Sequence, residues 1–184
     1  MSAAAAESVP TNDRQLQRVF AASVTVVFID QLAKAFVRAG LALGDEHALI
    51  PGVLQLTHVQ NRGAAFGLFP SSTLFLTIIS IGVCVAIVCG RSWWAGHGPL
   101  MSVAIALELG GALGNLIDRI AFGQVTDFIL LTPNLPFVGR WPAFNFADSA
   151  LTCGALMMAA ALMLHSDGQA IEDRATEIDT RPAP

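Results

Sequence analysis

Four apolar stretches, each close to the length of a membrane crossing, constrain this 184-residue chain more than any other feature. They cover about residues 16–37, 73–90, 99–117 and 146–165, and contain "VFAASVTVVFI", "TLFLTIISIGVCVAIVCG", "PLMSVAIALELGGALGNLI" and "SALTCGALMMAAALML". A helix needs about 20 apolar residues to cross the hydrocarbon core. Backbone groups in lipid must be bonded within their own segment, which selects helices. The expected fold is therefore an all-α integral membrane protein, a four-transmembrane-helix bundle with both termini on one side. Only 13% of residues are charged, about half the roughly 25% of a soluble domain.

The expected organisation is one membrane domain, 16–165, between two solvated, disordered tails, 1–15 and 166–184. The second tail is acidic and has no apolar period. The first helix follows a tail bearing Glu7 and Asp13 and has no small-residue cleavage site after its apolar part, so it reads as a bundle helix rather than a leader. No basic run points to nucleic acid. Lysines and arginines divide five against five between the two sides, so the positive-inside rule does not orient the chain. Cys84, Cys89 and Cys153 fall within apolar segments and read as small core residues, with no CxxC or His–Cys spacing for a metal. The four histidines, His47, His58, His97 and His165, are scattered and read as surface residues.

Four crossings place the loops 38–72 and 118–145 on one side and the short "RSWWAGHG" loop, residues 91–98, on the other. The two tryptophans of that short loop are expected at a membrane interface. "VLQLTHVQN", residues 53–61, alternates apolar and polar positions between the turn signals "IPG" and "NRG", as a short strand does. "FGQVTDFILL", residues 122–131, suits a strand or a short amphipathic helix. "TPNLPFVGRWP", residues 132–142, is a proline-rich loop. One face thus carries nearly all the extramembrane structure and is the expected place for a site.

Ionisable groups within membrane segments cost about 2.5–3.5 kcal/mol each at a helix centre and are functional candidates by default. Asp30 and Lys34 stand at i and i+4 and share a helix face. Asn115 and Asp118 close the third helix, and Asn145 and Asp148 open the fourth, both as N-x-x-D. Antiparallel crossing brings these ends to one depth. Two carboxylates held close cannot both ionise, so they share a proton. The ionised partner can then activate a water while the protonated one polarises a carbonyl, which hydrolyses a peptide without metal or cofactor. Gly110, Gly111, Ala112 and Gly114 permit close approach of helices or of a substrate backbone. Glu108, seven residues before Asn115, faces roughly the same side and has no assigned role.

In order and spacing, "DQLAK" (30–34), "NRGAAFG" (61–67), "GGALGNLIDR" (110–119), "GQVTDFI" (123–129) and "FNFADS" (144–149) resemble the motifs of bacterial lipoprotein signal peptidase, signal peptidase II. The resemblance covers about residues 16–165. It implies an intramembrane aspartic endopeptidase of the bacterial inner membrane. Such an enzyme cleaves diacylglyceryl-modified prolipoproteins just before the lipidated cysteine. It implies cytoplasmic termini, a site near the extracytoplasmic face, a small extracytoplasmic β-cradle near 44–66 and a second extracytoplasmic loop or helix. Asp118 and Asp148 are the implied catalytic dyad. Asp30, Lys34, Asn61, Arg62, Gly63, Asn115 and Asn145 are the implied supporting or substrate-binding residues. The implied partners are the precursor, membrane lipid and the inhibitor globomycin, on a monomeric enzyme. A small proton- or ion-coupled transporter is the competing reading. Acids gathered at one rim and the absence of an inverted repeat speak against it.

Overall fold

The computed structural model describes residues 13–63, 73–132 and 141–179. In chain order the elements are α1 (Asp13–Gly40), β1 (Glu46–Ile50), β2 (Leu54–Asn61), α2 (Thr73–Cys89), α3 (Arg91–Ala95), α4 (Gly98–Phe122), β3 (Val125–Leu131) and α5 (Phe146–Asp179). α1, α4 and the Phe146–Ser166 part of α5 are long and apolar enough to cross a membrane, whereas α2, equally apolar, has 17 residues. Among the described residues the chain is thus mostly helical, with three candidate spans and a shorter apolar helix where four spans were expected. The expected disordered tails are partly helical: residues 13–15 open α1, and α5 continues to Asp179, while 1–12 and 180–184 lie outside the described residues.

α4 is the central helix, with 61% of its most apolar window buried against 22% for α1 and for α5. Glycine makes that position possible. A Cβ on Gly110 would lie 2.6 Å from Val26 Cβ of α1, and one on Gly111 would lie 2.6 Å from the Ala147 carbonyl of α5. A Cβ on Gly114 would meet Asp30 Oδ2 at 2.8 Å. Without side chains there, α1 and α5 close onto two sides of α4, and α2 packs on a third. The lipid-side residues of α1, such as Phe28 and Phe36, stay exposed, while Val19, Ser23, Asp30, Lys34 and Val37 form its buried stripe.

At the other end from the site, Trp94 is 2% exposed, donates from Nε1 to the Ile87 carbonyl and packs with Met101 and Ile105. It is core rather than interface, because α3 turns it inward. Of the two tryptophans in the short loop, Trp93 is the exposed one. Cys84 is half-buried and Cys89 and Cys153 are exposed on their helices, so none is the core filler expected. His58 is buried and bonds the Leu41 carbonyl, unlike the surface residue its scattered position suggested.

The three strands form one antiparallel sheet in the order β1-β2-β3. β2 matches the expected strand. β3 settles the ambiguity of 122–131 in favour of a strand, because the left-handed Gly123 (φ 69°) ends α4 and releases the chain to pair with β2. The sheet therefore reaches beyond the segment near 44–66 by recruiting β3. Phe144 bridges back to Ile129 just before α5. The expected loop at 132–142 falls mostly outside the described residues, as do residues 64–67 of "NRGAAFG".

Candidate active site

Two groups of acids form where α1, α4, β3 and α5 meet. The inner group surrounds Lys34, which is fully buried and lies 2.8 Å from Asp30 Oδ2 and 3.5 Å from Asp118 Oδ2. Arg38 adds a second cation, 3.4 Å from Asp118 Oδ1. Two carboxylates face two cations, the buried Lys34 and the partly exposed Arg38, so the buried charge is balanced. Gln31 donates to Asp118 Oδ1 and to the Gly114 carbonyl. The acids also fasten neighbouring elements: Asp30 Oδ1 accepts the Ala147 N–H of α5 at 2.9 Å, and Asp118 Oδ2 accepts the Thr126 N–H of β3 at 2.9 Å. Asp118 is 0% exposed.

The outer group is Asp127 and Asp148. Among the described residues, neither has a Lys or Arg nitrogen at ion-pair distance. Amides hold them instead. Asn145 opens α5 with a reciprocal cap: its Oδ1 accepts the Asp148 N–H at 2.9 Å, and Asp148 Oδ2 accepts the Asn145 N–H at 3.2 Å. The same Asn145 donates from Nδ2 to Asp127 Oδ1 at 2.7 Å. Asn61 donates to Asp127 Oδ2 at 2.9 Å from β2, where the register places it diagonally across from Asp127. The Gly63 N–H binds Asn61 Oδ1 and so turns the amide nitrogen toward the acid. Asn115 Oδ1 accepts from Lys34, and its Nδ2 donates to Asp148 Oδ1 at 2.8 Å, which joins the inner group to the outer one.

Asp127 and Asp148 both line a cavity of about 530 Å³, with Arg119, Trp141, Phe144 and Leu151 among its walls. Asp118 does not line it. Burial, and then the negative charge of Asp148, push the Asp127 carboxyl up to about 7, against the pull of Asn61, Asn145 and Lys34. A carboxyl that keeps its proton near neutral pH beside a second carboxyl is the arrangement for acid–base work on a neutral substrate.

The structure brings Asp30, Lys34, Asn61, Gly63, Asn115, Asn145 and Asp148 together. Asp118 lies beside Lys34 and Arg38 and does not line the cavity, whereas Asp127 and Asp148 both do. Arg62 is exposed and bonded to Gln124 rather than directed at the acids. Gln31, Arg38, Arg119, Thr126 and Asp127 were not singled out from sequence. Asp127 lay inside a quoted motif, and the alternation of "VTD" on a strand after a helix-ending glycine was the available signal. Glu108 sits against Gly154 of α5, apart from the cavity.

The family model for signal peptidase (SPase) II matches residues 22–164. The chain belongs to the signal peptidase II family. It is therefore a peptidase, and its apolar helices make it an integral membrane one. It is 41% identical over 158 residues to the lipoprotein signal peptidase of Syntrophomonas wolfei, covering 86% of this chain and 99% of that relative. The lipoprotein signal peptidase of Burkholderia mallei is 42% identical over 142 residues, 74% of this chain and 81% of that one. A solved bacterial membrane enzyme, determined by the in meso method at 2.3 Å, superposes with a TM-score of 0.73 at 35% identity, over 83% of this chain and 91% of the other. All five motifs of the signal peptidase II resemblance fall within the matched residues.

Proposed function

We propose that this signal peptidase II homologue is an aspartic endopeptidase that removes signal peptides from diacylglyceryl-modified prolipoproteins, cutting just before the lipidated cysteine. The observation that carries the mechanism is the cavity wall that Asp127 and Asp148 share, held by amides and, among the described residues, with no cation at ion-pair distance. Asp127 holds the proton of the pair and polarises the scissile carbonyl. Asp148 is ionised and takes a proton from the attacking water. Collapse of the tetrahedral intermediate then passes a proton to the leaving amine. Asp118 acts through position: it ties Thr126, and so the strand that carries Asp127, to α1 and α4. No metal or cofactor enters.

In this reading α2 completes a four-helix bundle in the bacterial inner membrane, the termini are cytoplasmic, and the site lies at the extracytoplasmic rim. The precursor's acyl chains stay in lipid while its cleavable bond meets water there. Globomycin occupies the same cavity, and one copy of the chain suffices.

The test is incubation of the purified protein in nanodiscs with a diacylglyceryl-modified precursor, with mass spectrometry of the new N-terminus. The expected product begins at the lipidated cysteine, and globomycin suppresses it. Equal cleavage of the unmodified precursor, or full activity in both Asp127→Asn and Asp148→Asn, would overturn the reading.

A further inference from the structure

The turn between β1 and β2 is apolar where a water-facing turn is ordinarily polar. It is a hydrogen-bonded turn in which Val53 N–H reaches the Ile50 carbonyl at 3.0 Å, with Pro51 and the left-handed Gly52 (φ 74°) at its centre. Leu49 is 58%, Ile50 51% and Val53 50% exposed. The polar residues of β1, Glu46 and His47, stand at the opposite end of the strand.

The β1–β2 register slips by one residue between Ala48 and Ile50, so Leu49 bulges out of the ladder next to the turn. Three large apolar side chains exposed together on an irregular strand end fit immersion in an apolar medium. The surface is also continuous with the membrane-facing side of α1. Phe36 is 70% exposed on that helix, Leu43 is 60% exposed just after it, and β1 begins six residues after Gly40.

We infer that the β1–β2 tip, Leu49, Ile50 and Val53, is seated in the headgroup–acyl boundary of the bilayer that the helices cross. The sheet bearing Asn61 and Asp127 is then held at the membrane surface from two sides, by α1 and α4 where the chain leaves the helices and by the tip at its outer edge.

The test is membrane depth, which requires no catalytic activity. Nitroxide labels are placed at Leu49→Cys, Ile50→Cys and Val53→Cys in the full chain with Cys84, Cys89 and Cys153 replaced by alanine, in nanodiscs holding one copy. Glu46→Cys is the water reference and Ile78→Cys on α2 the lipid reference. The expected result is collision with oxygen favoured over collision with a water-soluble nickel chelate, as at Ile78, at a depth of about 5–10 Å below the phosphates. Nickel accessibility at all three tip positions equal to that at Glu46 overturns the inference. Shielding from both reagents that appears only in vesicles crowded with the protein means a second copy covers the tip, and overturns it equally. Leu49→Asp, which leaves the turn residues intact, is expected to raise nickel accessibility at labelled Val53.

Discussion

Asp118 and Asp127 lie nine residues apart in the sequence and are tied through Thr126, yet they live in opposite environments. Asp118 faces Lys34 and Arg38 and is sealed from the cavity. Asp127 faces two asparagine amides and Asp148 and opens onto it. A carboxylate fixed by two cations is placed to serve as a strut. A carboxyl fixed by neutral amides beside another acid keeps a labile proton. The residue type is the same, and the partner decides the role.

The comparison is broken most directly by replacing one acid at a time. Asp127→Asn and Asp148→Asn are each expected to lower kcat for a lipidated precursor by about 10²–10⁴-fold, the usual contribution of a positioned acid or base. Their thermal midpoints should stay near that of the parent. Asp118→Asn leaves Lys34 and Arg38 facing one carboxylate instead of two. It is expected to lose about 3–5 kcal/mol of stability, as for a broken buried pair, read as a lower thermal midpoint in detergent. The protein that remains folded should still cleave. A stable but inactive Asp118→Asn beside an active Asp127→Asn would exchange the two roles.

A pH profile sharpens the same contrast. Asp127 keeps its proton up to about 7. The one-proton state of the pair is therefore lost as pH rises through that value, and kcat/KM should fall on the alkaline side. The apparent constant belongs to the coupled pair. Arg38→Gln, a change in the inner group, should leave that limb in place. A profile flat from about pH 6 to 9 would exclude a shared proton.

The smallest expected effect tests the packing that sets the pair. Gly111→Ala would put a Cβ 2.6 Å from the Ala147 carbonyl and force α5 away from α4. Overpacking of this kind costs about 1–3 kcal/mol. Activity should fall further than stability alone accounts for, because the shift stretches the Asn115–Asp148 bond. Gly123→Ala, at a left-handed position with open space around it, should cost stability through backbone strain instead.

Local pattern was enough to place α1, α2, α4 and the membrane part of α5, because apolar run length and the 3.6-residue period are properties of neighbouring residues. It also placed Asp30 and Lys34 on one face, and paired Asn115 with the start of α5 through the repeated N-x-x-D. The same repeat carried no information on the partners of Asp118. Two like motifs suggested two like roles, but one aspartate ends a helix beside α1 and its cations, while the other opens α5 beside β3. The depth of Asp118, the strand state of 125–131 and the diagonal placement of Asn61 on Asp127 depend on pairings between segments far apart in the chain.

The sequence by itself determined that this chain is a membrane-embedded helical peptidase of the signal peptidase II type, because hydropathy and motif order are carried by residues in line. Only the tertiary structure decided which carboxylates share the cavity. That choice rests on where Lys34 and Arg38 come to lie, and a buried cation claims the nearest acid whatever motif that acid belongs to.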